Sequence, residues 1–108
     1  MDFSLTEDQK AFVESARAFS DGVLAPNAAR WDEHAIFPKE ALQQAGELGF
    51  MGMMVDPNYG GAGLDTISYV LAIEEISKVD ASVAVCMSVN NSLVCWGLET
   101  FGTEEQKQ

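Results

Sequence analysis

Apolar residues recur early in the chain at intervals of four, three and four: Phe12, Ala16, Phe19 and Val23. That spacing lays them on one face of an amphipathic helix. Its start is written in Thr6-Glu7-Asp8-Gln9, which fits a capping box: the Thr6 hydroxyl accepts from the third-residue amide and Gln9 reaches back. Phe3 or Leu5 ahead of it can staple the entry, and Ser20-Asp21-Gly22 predicts the stop. A second helix is predicted from about Leu24 to Glu33, with Pro26 in the first turn, where its missing N–H is not needed. Ala28, Ala29 and Trp31 give it apolar surface, and Trp31 reads as a packing anchor. Phe37-Pro38 resets the chain, because the residue before a proline avoids the α region. Leu42, Ala45 and Leu48 then mark a third helix, which Gly46 weakens and Gly49 ends. Phe50 to Val55 is predicted as a short strand or an extended buried connector, its methionines adaptable core filler.

Asp56 to Leu64, with one proline and three glycines, is the strongest break in the pattern. Gly60-Gly61-Ala62-Gly63 has neither a GKS/T ending nor a GxGxxG register, so it reads as a tight connection where side chains would clash rather than as a phosphate loop. Asp65 or Thr66 caps a fourth helix running to about Val79, its buried face predicted from Tyr69, Val70, Ile73 and Ile76. Glu74 and Glu75 are adjacent, point about 100° apart and lack an ExxH motif, so they read as a solvated pair rather than a metal site.

Asp80 caps the longest element, Ala81 to Phe101, a helix of roughly 30 Å without proline. Val83, Val85, Met87, Val89, Leu93, Val94, Trp96 and Leu98 make it apolar on nearly every side, which predicts burial. Its waist is polar: Ser88, Asn90, Asn91 and Ser92. Burying each unpartnered would cost about 1–3 kcal/mol, so they must bond neighbouring backbone or face a ligand.

Composition narrows the functions open to such a chain. Its 108 residues suggest one domain, and 47% apolar with 21% charged residues is a globular balance. Six basic against seventeen acidic residues leave a net charge of −11, which disfavours nucleic acid, anionic membrane surfaces and the phosphates of a nucleotide cofactor. Cys86 and Cys95 lie nine residues apart on one helix, on opposite faces, so they cannot bridge each other. There is no Cys/His metal spacing, and the single histidine, His34, reads as a surface or structural residue. The acidic start MDFSLTEDQ is neither a signal peptide nor Arg-rich like a transit peptide. That suits a bacterial cytoplasm and equally a processed mitochondrial matrix protein.

Gly102 ends the long helix, and Thr103-Glu104-Glu105-Gln106 is a second capping box two residues short of the last residue. A helix announced there leads us to expect a longer parent protein. Five segments, Leu5-Thr6-Glu7-Asp8-Gln9, Leu48-Gly49-Phe50-Met51-Gly52, Tyr59-Gly60-Gly61-Ala62-Gly63-Leu64-Asp65, Glu74-Glu75-Ile76-Ser77 and Phe101-Gly102-Thr103-Glu104-Glu105-Gln106-Lys107, occur in an order and spacing that resembles the N-terminal helical domain of the acyl-CoA dehydrogenases. The run Met87 to Leu93 is most similar to the short-chain, butyryl-type members.

The resemblance implies an all-α fold, an orthogonal or up-down bundle of about five helices with a Gly-rich connection, spanning residues 1–108. It implies a parent enzyme with further middle β and C-terminal helical domains, which bind most of the FAD and supply the glutamate that removes the substrate's α-proton while the β-hydride goes to the flavin. It implies an acyl-CoA substrate, an electron-transferring flavoprotein as acceptor, and a tetramer. No catalytic, cofactor or metal residue carries over to this chain; Glu74, Glu75 and Glu99 are wrongly placed. What carries over is one wall of the acyl pocket, on the face of the long helix shared by Cys86, Val89, Asn90 and Leu93. Asn91 and Ser92 are expected to anchor backbone instead. The competing reading is an autonomous helical binding module, which should close its last helix rather than open one at Thr103.

Overall fold

In the computed structural model, which describes all 108 residues, every N-terminal helix cap read from the sequence forms. Helix α1 (Glu7–Phe19) opens on the complete capping box, Thr6 accepting from the Gln9 amide and Gln9 from the Thr6 amide. Gln9 also donates its side-chain amide to Asp65 at 3.1 Å, while Asp65 accepts from the Ser68 amide to cap α4 (Thr66–Ser77). One buried glutamine thereby ties the starts of the two helices that pack together as the centre of the fold.

Gly22 does not stop α1. The helix runs on through a π-helical turn, Ser20–Leu24, in which the widened ring is closed by the Ala25 amide on the Ser20 carbonyl at 2.8 Å. Leu24 is therefore fully buried at the end of the first helix rather than starting the second, and Pro26 lies in the turn between them. Helix α2 (Ala28–Glu33) is short, and α3 (Lys39–Glu47) follows Pro38. On α3 the buried residues are Ala41 and Ala45, and Leu48 is exposed, against the predicted face.

Phe50 to Val55 is no strand but a chain of turns. It folds back through a 3₁₀ turn, Pro57–Tyr59, so that the amides of Ala62, Gly63 and Leu64 donate to the carbonyls of Gly52, Val55 and Met53. This closure explains the glycines: a β-carbon on Gly61 would overlap the Val55 carbonyl, and Gly63 sits at φ +64° with Pro57 2.8 Å from where its β-carbon would be. The fold-back buries Phe50 and Met53 completely. Phe50 anchors the core, its ring edge-on to Phe12 at 6.3 Å and tilted against Phe19 at 5.9 Å.

On α4, Ser68, Ala72 and Ile76 are buried while Val70 is exposed, one position off the predicted face. Glu75 is not solvated as the sequence suggested. Its side chain is 12% exposed and bridges Arg17 of α1 and Lys78 at 3.2 and 2.9 Å. Those two cations hold the Glu75 carboxyl below its ordinary range, Arg17 chiefly.

Helix α5 (Ala81–Phe101) is one continuous rod, α-helical to Val89, π-helical over Asn90–Cys95 and α-helical again to Phe101. By length and composition alone it is the one helix that could cross a membrane. The prediction that it is buried fails: only Val83, Ala84, Met87 and Asn91 are, and Val85, Val89, Leu93, Val94, Trp96, Leu98 and Phe101 are exposed. The reason is the shape. The domain measures 41 × 39 × 20 Å, about two helix diameters thick, and its radius of gyration of 14.5 Å exceeds the roughly 13 Å of a compact domain this long. Helix α5 lies on a face of this slab, with neighbours on one side only.

A last turn, α6 (Glu104–Lys107), forms on its own capping box and latches the Gly-rich connection. Tyr59 donates to Glu104 at 2.6 Å, Lys107 stands 5.9 Å over the Tyr59 ring, and Glu99 accepts from the Asp56 amide at 2.9 Å.

Candidate functional site: an uncharged groove beside the long helix

The polar waist of α5 is spent mainly on scaffolding. Asn91, 4% exposed, accepts from the Met53 amide at 2.7 Å and donates to the carbonyls of Phe50 at 2.8 Å and Met87 at 2.9 Å. Ser88 meets the Tyr69 hydroxyl at 3.2 Å. Ser92 anchors only its own helix, donating to the Ser88 carbonyl at 2.7 Å. Asn90 corrects the expectation most. Its side-chain amide donates to the Met51 carbonyl, so it anchors backbone as Asn91 does. Together Asn90 and Asn91 stitch the Phe50–Met53 turns onto α5 from two adjacent positions.

That stitching leaves a groove of about 370 Å³. Helix α5 supplies one side: Val85, Cys86, Val89, Asn90 and Val94. Phe37, Leu42 and Met51 supply the other. Of the four residues expected on one face, Cys86, Val89 and Asn90 are brought together, and Leu93 is not: it is 66% exposed and outside the groove. The π segment is the cause. In an α-helix the next residue on the Asn90 face lies between the third and fourth positions onward; a π turn holds more residues, so the fourth, Val94, takes the place of Leu93. Nothing in the residue types of Asn90–Cys95 announces this.

The groove carries no ionisable side chain except the Cys86 thiol, in a chain of net charge −11. It has nothing to hold a pyrophosphate and nothing to take a proton at neutral pH. Cys95, around the helix, has its thiol pushed up by burial and then by Glu99, which makes it a poor nucleophile. The groove can do one thing chemically, which is to take an apolar chain out of water.

Residues 6–108 match the family described as "Acyl-CoA dehydrogenase, N-terminal domain". The chain belongs to the acyl-CoA dehydrogenase family. It is 42% identical over 108 residues to the short-chain specific acyl-CoA dehydrogenase of Clostridium acetobutylicum, all of this chain and 28% of that protein. Among solved structures, butyryl-CoA dehydrogenase from Megasphaera elsdenii matches at a TM-score of 0.89 and 40% identity, over 99% of this chain and 29% of that one. A chain from the structure described as the electron transferring flavoprotein of Acidaminococcus fermentans matches at 0.95 and 44%, over 100% and 28%. The sequence thus spans little more than a quarter of these relatives, and its all-helical fold is that of the acyl-CoA dehydrogenase N-terminal domain.

Proposed function

We propose that this chain is the N-terminal helical domain of a flavin-dependent acyl-CoA dehydrogenase that desaturates short-chain acyl-CoA thioesters, and that the groove beside α5 is one wall of its acyl pocket. The observation that carries the reading is the character of the groove: apolar apart from Asn90, and built on the helix where the family likeness to butyryl-type members is concentrated. An alkyl chain gains about 0.8 kcal/mol for each methylene moved from water into such a lining. A wall of this kind grades chain lengths rather than rejecting them outright, since one methylene more or less is worth about 1–3 kcal/mol.

The remaining parts of the reaction belong to other domains of the parent. FAD accepts the hydride when bound, but the residues here do not fit it: the groove offers no cation for its phosphates. Glu75 is engaged by Arg17 and Lys78, and Glu99 by the Asp56 amide. What these residues do is bind and exclude water: Val85, Cys86, Val89 and Val94 meet the alkyl chain, while Asn90 and Asn91 fix the far side relative to them. Electron-transferring flavoprotein as acceptor and a tetrameric parent complete the proposal.

The test uses the full-length protein that carries this domain. Purified, it should be yellow, and butyryl-CoA should bleach the flavin's visible band; the 108 residues alone should do neither. Flavin retained by the 108 residues after desalting would overturn this division of labour. Val89→Trp, which fills the groove, should lower turnover of hexanoyl-CoA more than of butyryl-CoA.

A further inference from the structure

We propose that Phe37, on the loop between α2 and α3, is a chain-length-determining residue of the groove, its ring forming the wall across from α5. This rests on the reading of the groove as an acyl wall. Three observations single Phe37 out from the other residues of that side. First, Leu42 and Met51 are packed against the buried core and cannot yield without disturbing it, whereas Phe37 is not part of that packing. Its size alone can be changed while the fold is kept. Second, its ring is left bare: Phe37 is 68% exposed, whereas Leu42 and Met51 on the same side of the groove are half-buried. Third, its backbone is held from both sides. The Ile36 amide donates to the Trp31 carbonyl at 2.9 Å, and the Phe37 carbonyl accepts from the Lys39 amide at 2.9 Å. Ala35 before it takes a left-handed conformation, φ +51°, and Pro38 follows. A fixed backbone presenting a free aromatic ring is a preorganised contact, with little ordering left to be done on binding.

The occupant is an alkyl chain rather than a peptide or a charged ligand. The groove offers Asn90 as its one amide side chain, and that amide already donates to Met51. A polar ligand entering it would meet only the Asn90 side-chain oxygen, as an acceptor, and its remaining polar groups would go unpaired.

The experiment compares kcat/KM for butyryl-CoA and hexanoyl-CoA in the full-length flavin-loaded enzyme carrying Phe37→Ala, Phe37→Leu, Phe37→Trp or Val89→Ala. Because a methylene's fit changes specificity by about tenfold or more, Phe37→Ala should raise the hexanoyl-to-butyryl ratio by about that factor. Phe37→Leu should raise it less, and Phe37→Trp should lower it. If Val89→Ala moves the ratio while all three Phe37 variants stay within about twofold of the parent, Phe37 is not a wall residue and the α5 wall stands. If neither position moves it, the groove is covered by another domain of the parent and both readings fall. Loss of flavin or of soluble enzyme in both Phe37→Ala and Phe37→Leu would make the ring a domain-packing contact and overturn the proposal.

Discussion

Asn91→Ala tests the central claim about α5, that its polar waist holds the fold. The side chain is 4% exposed and makes the only hydrogen bonds recorded for the Met53 amide and the Phe50 carbonyl. Its third partner, the Met87 carbonyl, also accepts within the helix and loses less. Alanine therefore orphans one buried donor and one buried acceptor, each costing about 1–3 kcal/mol. The two sit on one turn and relax together, so the sum is less than additive, and we expect about 2–5 kcal/mol. That is a large share of the roughly 5–15 kcal/mol that stabilises a domain of this size. Urea unfolding followed by far-UV circular dichroism measures it, as a lower midpoint at unchanged slope. Ser92→Ala is the control, since its hydroxyl is exposed and bonds only its own helix; it should cost about 0.5 kcal/mol or less. A cost for Asn91→Ala below about 1 kcal/mol, or equal to that of Ser92→Ala, would refute the reasoning.

Three other outcomes follow from named contacts. Gly61→Ala should destabilise the domain by several times as much as an ordinary exposed substitution, about 2 kcal/mol or more, because its β-carbon meets the Val55 carbonyl; Gly22→Ala, with nothing within 4 Å, should stabilise by up to about 1 kcal/mol. Paired thermal melts decide both. Ala35→Gly relieves a left-handed alanine at φ +51° and should raise the melting temperature slightly, the relief of roughly 1–2 kcal/mol being partly offset by unfolded-chain entropy. Glu75 titrates below its ordinary 4.5 in the fold, so its contribution is complete above that value and is lost as pH falls through the lower folded one. Glu75→Gln should flatten the acid side of the stability profile below about pH 4.5 and leave its neutral side unchanged in shape.

Local signals carried much of the fold. Thr6 with Gln9, Asp65, Asp80 and Thr103 with Gln106 each needed only neighbours within three residues, and each caps as read. The Gly-rich connection was legible for the same reason, its glycines answering contacts inside one loop. What stayed hidden depended on distance or on hydrogen-bond ring size. Phe37 and Val85 line one groove from 48 positions apart, and periodicity on α5 could not name the opposite side. Both π turns keep α-like backbone angles at their boundaries and ordinary residue types, so neither the continuation of the helix past Gly22 nor the position of Leu93 outside the groove is legible in them. The expectation of a buried α5 failed because apolar content says that a surface wants covering but not which part of a protein covers it.

The π segment of α5 is where this helix absorbs one residue more than an α-helix of the same reach would hold. Deleting one residue between Asn90 and Cys95 would let the segment relax to an ordinary α-helix, and the rod would hardly shorten. The residues beyond the deletion would also keep their phase against those before it, because a π turn spreads its extra residue over the same rotation. Glu99 would stay at the Asp56 amide, and the Trp96–Phe101 pair, edge-on at 5.8 Å, would keep its side of the slab. A deletion in the α-helical stretch Ala81–Val89 would instead turn everything beyond it by about 100°. Relatives one residue shorter between Asn90 and Cys95 should therefore keep the last turns of the helix in place and differ only at its waist.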